Sequence, residues 1–300
     1  MRYPLVISII LNSSRRDDTL DCLKSLRQSN YTNHQILVLD CQSTDNSIAA
    51  IRKNYPDIRI IELSENLGYA GNNNIGIQTA IELGADWVLV LNEDTILDAD
   101  CISKLVEAGL KDAQIGVVGP IVYHYDEPAV IQSAGGLLGK YWQSVHLGMN
   151  ETDHGQFSEP RVVDWISGCA IMVRREAIEH AGMLDPNYFI YWEETEWCIR
   201  LSRASWKILN VPKAKIWHKG VQRNYQPKPS FTYYATRNHL FTLWKHRAPV
   251  SVKIYNWFQL VRTLASWTIK PKWRAKLPHR NAMLLGVLHF LQNRSGSISI

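Results

Sequence analysis

The residues with the greatest chemical capacity are acids and amides that directly follow runs of branched aliphatic residues. Leu91-Asn92-Glu93-Asp94-Thr95 closes the run from Trp87 and sets two adjacent carboxylates at what reads as a strand end. Hard oxygen donors of this kind suit Mg²⁺ or Mn²⁺ over Zn²⁺, and they leave positions open for water and for the phosphate oxygens of a nucleotide diphosphate. Trp192-Glu193-Glu194-Thr195-Glu196-Trp197 sets three acids between aromatics. If 193–205 is helical, Glu193 and Glu196 share a face and Glu194 points elsewhere. Neighbouring carboxylates could then take two roles, one orienting an arginine or an acceptor and one serving as general base. His218, in Trp217-His218-Lys219-Gly220, is either a nitrogen ligand completing a metal site or a structural donor.

Two further places carry weaker signals. Asp40, after Ile36 to Leu39, and Asp45 can accept hydrogen bonds from a base N–H or a ribose hydroxyl, or can cap the helix that follows. Asn66-Leu67-Gly68-Tyr69-Ala70-Gly71, followed by Asn72, is a turn at which backbone N–H groups could approach phosphate or sugar. Its spacing is neither that of a dinucleotide fingerprint nor that of a P-loop. Nothing resembles a nucleophile elbow, an HExxH helix or a Ser-His-Asp grouping.

These residues need elements to hold them. The first 120 residues alternate short aliphatic runs (Leu5 to Leu11, Gln35 to Leu39, Ile58 to Leu63, Trp87 to Leu91) with longer mixed stretches at 17–29, 44–54, 70–83 and 98–110. That rhythm predicts a parallel α/β sheet, in which ligands bind beyond the carboxyl ends of the strands. The glycine-bearing stretch 120–160 reads as loops or irregular strands, and 162–173 as another apolar segment. A helix follows from Arg174 to Ala181, another spans 193–205, and a strand over 206–211 is ended by Pro212. Helical text resumes at 231–246, 250–269 and 281–291.

The 300 residues are 46% hydrophobic and 20% charged, which excludes a disordered chain. The small net charge of +5 hides a division: residues 1–200 carry 15 Lys and Arg against 28 Asp and Glu, whereas 201–300 carry 18 basic residues and no acidic one. Five scattered cysteines without a CxxC pair speak against a disulfide scaffold and suit a reducing, cytoplasmic compartment. Leu5 to Leu11 is too short and too abruptly polar afterwards for a signal peptide, and no run of 18 apolar residues suggests a membrane span. The aromatic and basic tail allows three readings: helices that only pack, docking on an anionic membrane surface, or nucleic-acid binding, the last disfavoured.

Taken in order, these pieces resemble the family 2 glycosyltransferases, in particular bacterial rhamnosyltransferases of surface-polysaccharide biosynthesis. The likeness spans roughly residues 5–245. It rests on Val6-Ile7-Ser8-Ile9-Ile10, the Asp40 to Asp45 segment, Glu65 to Asn73, Leu91 to Thr95, Ser167-Gly168-Cys169, Phe189 to Arg200, His218-Lys219-Gly220, and Tyr234 followed by Arg237-Asn238. The resemblance implies a GT-A fold and inverting transfer of a sugar, rhamnose or a related hexose, from a dTDP- or UDP-sugar to a lipid-linked or polysaccharide acceptor. It implies that Asp40 reads the base, that Asp94 and His218 hold Mg²⁺ or Mn²⁺, and that Glu194 is the base, with Glu193 as the alternative and Glu196 positioning the acceptor. Asn12, Asp45, Asn66, Gly68, Gly71, Asn72, Asn92, Glu93 and Arg237 would complete the donor pocket. The chain departs from the family pattern at Ser13-Ser14, where an aromatic-Asn pair is usual, at Asn92 in place of the first Asp of DxD, and at Glu194 in place of Asp.

The expected organisation is a catalytic domain over 1–225, with a nucleotide-binding half to about 120 and an acceptor half beyond it, and a helical extension over 226–300. A peripheral position on the inner face of the plasma membrane would accommodate that extension. The competing readings are a noncatalytic nucleotide-sugar or polyanion-binding protein and a nucleotidyltransferase. For the latter, Asn12-Ser13-Ser14-Arg15-Arg16 supplies the arginines without the glycines.

Overall fold

The computed structural model describes residues 3–220 and 226–298. Strands and helices alternate at first: β1 (Val6–Asn12), α1 (Arg16–Arg27), β2 (His34–Asp40), α2 (Ser47–Asn54), β3 (Arg59–Glu62), α3 (Gly68–Glu82) and β4 (Trp87–Asn92). There follow β5 (Thr95–Leu97), α4 (Cys101–Gly109), β6 (Ile115–His124), β7 (Ile131–Ser133), β8 (Gly136–Leu138), β9 (Ser144–His146), β10 (Arg161–Val162), β11 (Ala170–Arg174), α5 (Arg175–Ala181), α6 (Glu193–Arg203) and β12 (Lys207–His218). Helices α7 (Pro229–Lys245), α8 (Val250–Ile269) and α9 (Leu277–Leu291) complete the chain. The main sheet runs β10-β12-β6-β11-β4-β1-β2-β3.

Strand β1 shows why the sheet is covered on both sides. Val6 and Ile10 pack with Leu23 of α1, Ile51 of α2 and Leu105 of α4, whereas Ile7 and Ile9 pack with Ile77 of α3 and Cys198 of α6. Side chains alternate across a strand, so an unbroken aliphatic run needs an apolar partner on each face. The quartet β3-β2-β1-β4 is parallel throughout, as the rhythm predicts.

Beyond β4 the structure corrects the sequence expectation three times. Strand β6 is a wholly buried ten-residue strand where the chain was expected to enter loops at 120. Its aliphatic run is interrupted by glycines required for packing: a Cβ on Gly119 would lie 2.1 Å from Ile166, and one on Gly116 would lie 2.8 Å from Trp206. The segment 162–173 yields only the short β10 and β11, and β11 runs antiparallel to both β4 and β6. Strand β12 does not stop at Pro212 but continues to His218. Proline is tolerated because the register against β6 slips between Val211 and Lys215, a bulge where its missing N–H breaks no ladder bond. The boundary expected at 225/226 falls on residues 221–225, outside the described residues.

Candidate active site

The β12 register brings the acids of β4 to the histidine. Strand β12 pairs antiparallel with β5 so that His218 lies opposite Thr95, which places His218 Nε2 3.1 Å from Asp94 Oδ1. The other Asp94 oxygen accepts from Arg15 at 2.6 Å. Gln132 Oε1 accepts from His218 Nδ1 at 3.1 Å, so a neutral imidazole turns its Nε2 lone pair toward the carboxylate. Asp94 Oδ1 is buried without a hydrogen-bond partner, and a Cβ on Gly220 would lie 2.3 Å from Asp94 Oδ2 and 3.2 Å from His218 Nε2. Two electron-rich donors about 3 Å apart match adjacent ligands of an octahedral ion with bonds of about 2.1 Å. The residues present therefore fit a hard divalent cation. Among the described residues no group of three or more His, Cys, Asp or Glu could hold a metal, so the remaining ligands would come from substrate and water.

Burial raises Asp94; against a protonated His218, the hydrogen bond and charge of that ring, together with Arg15, outweigh burial and hold the carboxyl below its usual range. Adjacent Glu93 is pushed the other way, to about 7, first by burial and then by the charge of Asp94.

The second acidic group sits at the amino end of α6, which meets the cleft end-on. Consecutive residues therefore reach it: Tyr191, Trp192, Glu193, Glu194 and Thr195 all line the cleft. One oxygen each of Glu193 and Glu194 is buried with no hydrogen-bond partner. Burial raises Glu194 to about 7 and, with the charge of Glu194 added, raises Glu193 well above the carboxylate range. A helix amino terminus favours carboxylates by about 1 kcal/mol, too little to offset full desolvation.

The chain reaches this position through strained backbone. Phe189 (φ 64°, ψ −61°) closes a tight turn with Ile190 N donating to Tyr188 O at 2.8 Å, and Tyr191 and Trp192 also have positive φ. Each such conformation in a non-glycine residue costs about 1–3 kcal/mol and needs external support. Arg237 and Asn238 of α7 supply it. Arg237 Nη2 donates to Tyr188 O (3.0 Å), and Asn238 Nδ2 donates to the carbonyls of Tyr188, Ile190 and Tyr191 at 2.7–2.9 Å. Gly68 accommodates the turn from the other side, since a Cβ there would lie 2.4 Å from the Phe189 ring.

Arg237 was expected at the donor, and its place is a correction: it is fully buried, with its guanidinium spent on Asn238, Tyr233 and main-chain carbonyls, including that of Gly296. Replacing Arg237 with Met is expected to lower stability by about 3 kcal/mol, because buried carbonyls lose their partners. Urea unfolding measures it, and an unchanged midpoint would refute the buttress.

Glu196 is also corrected. It turns away from the cleft to Arg200 (2.9 Å), Lys245 (2.8 Å) and His246 (3.0 Å). Burial would raise its carboxyl, but the His246 hydrogen bond and the Arg200 and Lys245 charges hold it at about 2. It docks α6 onto α7 and does not meet an acceptor.

The cleft between the two acidic groups holds roughly 1010 Å³. Cys169 lies between them: burial first, then the charges of Asp94 and Glu194, push its thiol up to about 12. The walls include Asn92, Trp165 and the Trp192 ring, which stacks on His239 at 4.4 Å. The far wall is Asn256, Gln259, Leu260 and Thr263 of α8.

The other expected donor residues are built into the strand ends. Asn12 Nδ2 donates to Asp40 Oδ1 (2.6 Å) and Ser43 Oγ (2.8 Å), and Asp40 Oδ2 accepts from Ser43 N (3.0 Å). Asn12 and Asp40 are thus side by side at the carboxyl ends of β1 and β2, but neither lines the cleft. Asp45 accepts from Ser47 at the start of α2 and from Arg16 N, which is the capping alternative. Asn66 Oδ1 accepts from Gly68 N (2.8 Å) and Asn72 Nδ2 (3.2 Å), and Asn72 Oδ1 accepts from Leu67 N (3.0 Å). Gly71 packs closely on Leu67, so these side chains brace the turn itself. Arg15, Gln132 and His239 were not anticipated as site residues. Arg15 alone had a local signal, its position just after the first strand.

A parallel α/β half joined to a mixed sheet, with acids at the junction, is the architecture of the GT-A fold. The family model for glycosyl transferase family 2 matches residues 6–182, and the chain belongs to that family. It is 28% identical over 240 residues to the N-acetylglucosaminyl-diphospho-decaprenol L-rhamnosyltransferase of Mycobacterium tuberculosis, covering 72% of this chain and 78% of that one. It is 26% identical to the dTDP-rhamnosyl transferase RfbF of Shigella flexneri, covering 66% and 67%. Among solved structures, the mannosyltransferase PcManGT of Pyrobaculum calidifontis, in complex with GDP-Man and Mn²⁺, superposes with a TM-score of 0.63. That match has 15% identity and covers 98% of this chain and 89% of the other, so it supports the fold alone.

Proposed function

We propose that the chain is an inverting, metal-dependent glycosyltransferase that moves rhamnose or a related hexose from a dTDP- or UDP-sugar to a lipid-linked or polysaccharide acceptor. The observation that carries this reading is one cleft lined by a cation-fitting pair, Asp94 and His218, and by two buried carboxylates with unpartnered oxygens, Glu193 and Glu194. The sugar and the lipid-linked acceptor follow the named relatives in Mycobacterium and Shigella.

Asp94 and His218 would hold a divalent cation, which would supply Lewis-acid stabilisation of the leaving diphosphate. Arg15 steadies Asp94 from the side away from His218. Asp40, fixed by Asn12 and Ser43, accepts a hydrogen bond from the base. Glu194 takes the proton from the acceptor hydroxyl as that oxygen attacks the anomeric carbon opposite the leaving group, which inverts the centre in one displacement. Glu193, raised by burial and by the charge of Glu194, takes the role of hydrogen-bond donor beside Glu194. Burial pushes the Cys169 thiol up, which suits it poorly to act as a nucleophile.

The test is nucleoside diphosphate release from a panel of dTDP-, UDP- and GDP-sugars, with and without Mn²⁺, in the presence of a polyprenyl-diphosphate-linked acceptor. Release dependent on Mn²⁺, acceptor and a dTDP- or UDP-sugar is expected. Saturable binding of those donors without turnover for any acceptor would favour a binding protein instead.

A further inference from the structure

Helix α8 has two opposed faces. Asn256, Gln259, Leu260 and Thr263 line the cleft. On the far side, Val250, Ile254, Phe258, Val261 and Ile269 are between 61% and 77% exposed. At about 100° per residue these five fall within an arc roughly 100° wide, opposite the cleft-lining residues. Lys253 and Arg262 border that arc on its two sides, and Lys270, Lys272 and Arg274 follow its carboxyl end. Leu284, Leu288 and Leu291 form a second exposed apolar stripe on α9.

So much exposed aliphatic and aromatic surface on one helix marks a contact surface. Charge decides the partner. The last hundred residues hold no acid, so pairing this face with a second copy would set cations against cations, whereas an anionic lipid surface satisfies both the apolar arc and its basic borders. Among the described residues no helix is long and apolar enough to cross a membrane, so α8 would lie flat.

We propose that α8 seats the protein on an anionic lipid surface through Val250, Ile254, Phe258, Val261 and Ile269. The cleft then stands about one helix diameter, roughly 10 Å, above the headgroups, within reach of a diphosphate-linked acceptor anchored in the bilayer. The purpose of docking rests on the transferase reading; the docking itself does not.

The test is sedimentation of the full chain with vesicles of phosphatidylglycerol and phosphatidylcholine, or of phosphatidylcholine alone, at low and high salt. The wild type is expected to pellet with the anionic vesicles and to be released by salt. The doubly substituted variant I254D/F258D is expected to bind at least about tenfold less, with an unchanged circular dichroism spectrum and thermal midpoint. K253E/R262E should weaken binding to anionic vesicles alone. A wild type that stays in the supernatant with anionic vesicles would overturn the proposal, as would I254D/F258D pelleting like the wild type. A lipid-free dimer that I254D/F258D dissolves, without vesicle binding, would assign the face to a second copy. Vesicle binding without transfer to any acceptor would sink the transferase reading and leave the docking standing.

Discussion

Replacing Glu194 with glutamine is expected to lower kcat by about 10²- to 10⁴-fold, the usual contribution of a positioned general base. The substitution keeps size and removes only the proton-accepting oxygen, so donor KM should change little. The same change at Glu193 is expected to cost less than about tenfold, since the glutamine N–H replaces the O–H donor assigned to a protonated Glu193. The pair thus separates by role although the two residues are adjacent and both line the cleft. Stability offers an internal control. Because burial raises Glu194 from 4.5 to about 7, its native state binds a proton more tightly than its unfolded state. The protonated carboxyl is fully tolerated below about 4.5, and stability is lost as pH rises from there through about 7, on the order of 3 kcal/mol by pH 8. Glu194→Gln should therefore raise the thermal midpoint at pH 8 and leave it nearly unchanged at pH 4.5. A variant that is inactive and also less stable at pH 8 would point to misfolding instead of a lost base.

The second large effect is expected at Asp94. Asp94→Asn removes the charge that faces both His218 Nε2 and Arg15. Mn²⁺ affinity, read by paramagnetic relaxation of water without any substrate, should fall at least about tenfold. Turnover should fall about 10³-fold, reflecting the several kcal/mol that charge stabilisation of a leaving group supplies. Gly220→Ala approaches the same atoms from the other side, since its Cβ would crowd Asp94 and His218, and should reproduce the loss of Mn²⁺ without altering any ionisable group. Undiminished Mn²⁺ affinity in Asp94→Asn would remove the cation from this position.

The parts of the fold legible in the sequence are those decided locally. The quartet β3-β2-β1-β4 announces itself because each strand is an aliphatic run between polar helices, buried on both faces. Strand β6 was hidden because Gly116 and Gly119 make room for Trp206 and Ile166, neighbours 47 or more positions away. The antiparallel sense of β11 and the bulge that admits Pro212 are likewise settled between distant strands.

The candidate site divides the same way. Asp94 and His218 were paired from residue type, and the β5–β12 register supplies the contact. The faces of α6 were misjudged because the helix meets the cleft with its end and not its side, so Glu193 and Glu194 enter together while Lys245 and His246 draw Glu196 away. Arg237 was expected in the donor pocket because it belongs to one of the motifs that carry the family resemblance. Its actual partners are the carbonyls of a strained turn more than forty positions earlier, which no local pattern reveals.

The central claim is that a buried Glu194, ionising near neutrality, accepts the acceptor's proton. Its most direct test is the pH dependence of kcat/KM at saturating Mn²⁺, for the wild type and for Glu193→Gln. With the base protonated at low pH, log kcat/KM is predicted to rise with unit slope to about 7 and to level off above it, in both proteins. A profile flat from about pH 5 to pH 9 would contradict the account.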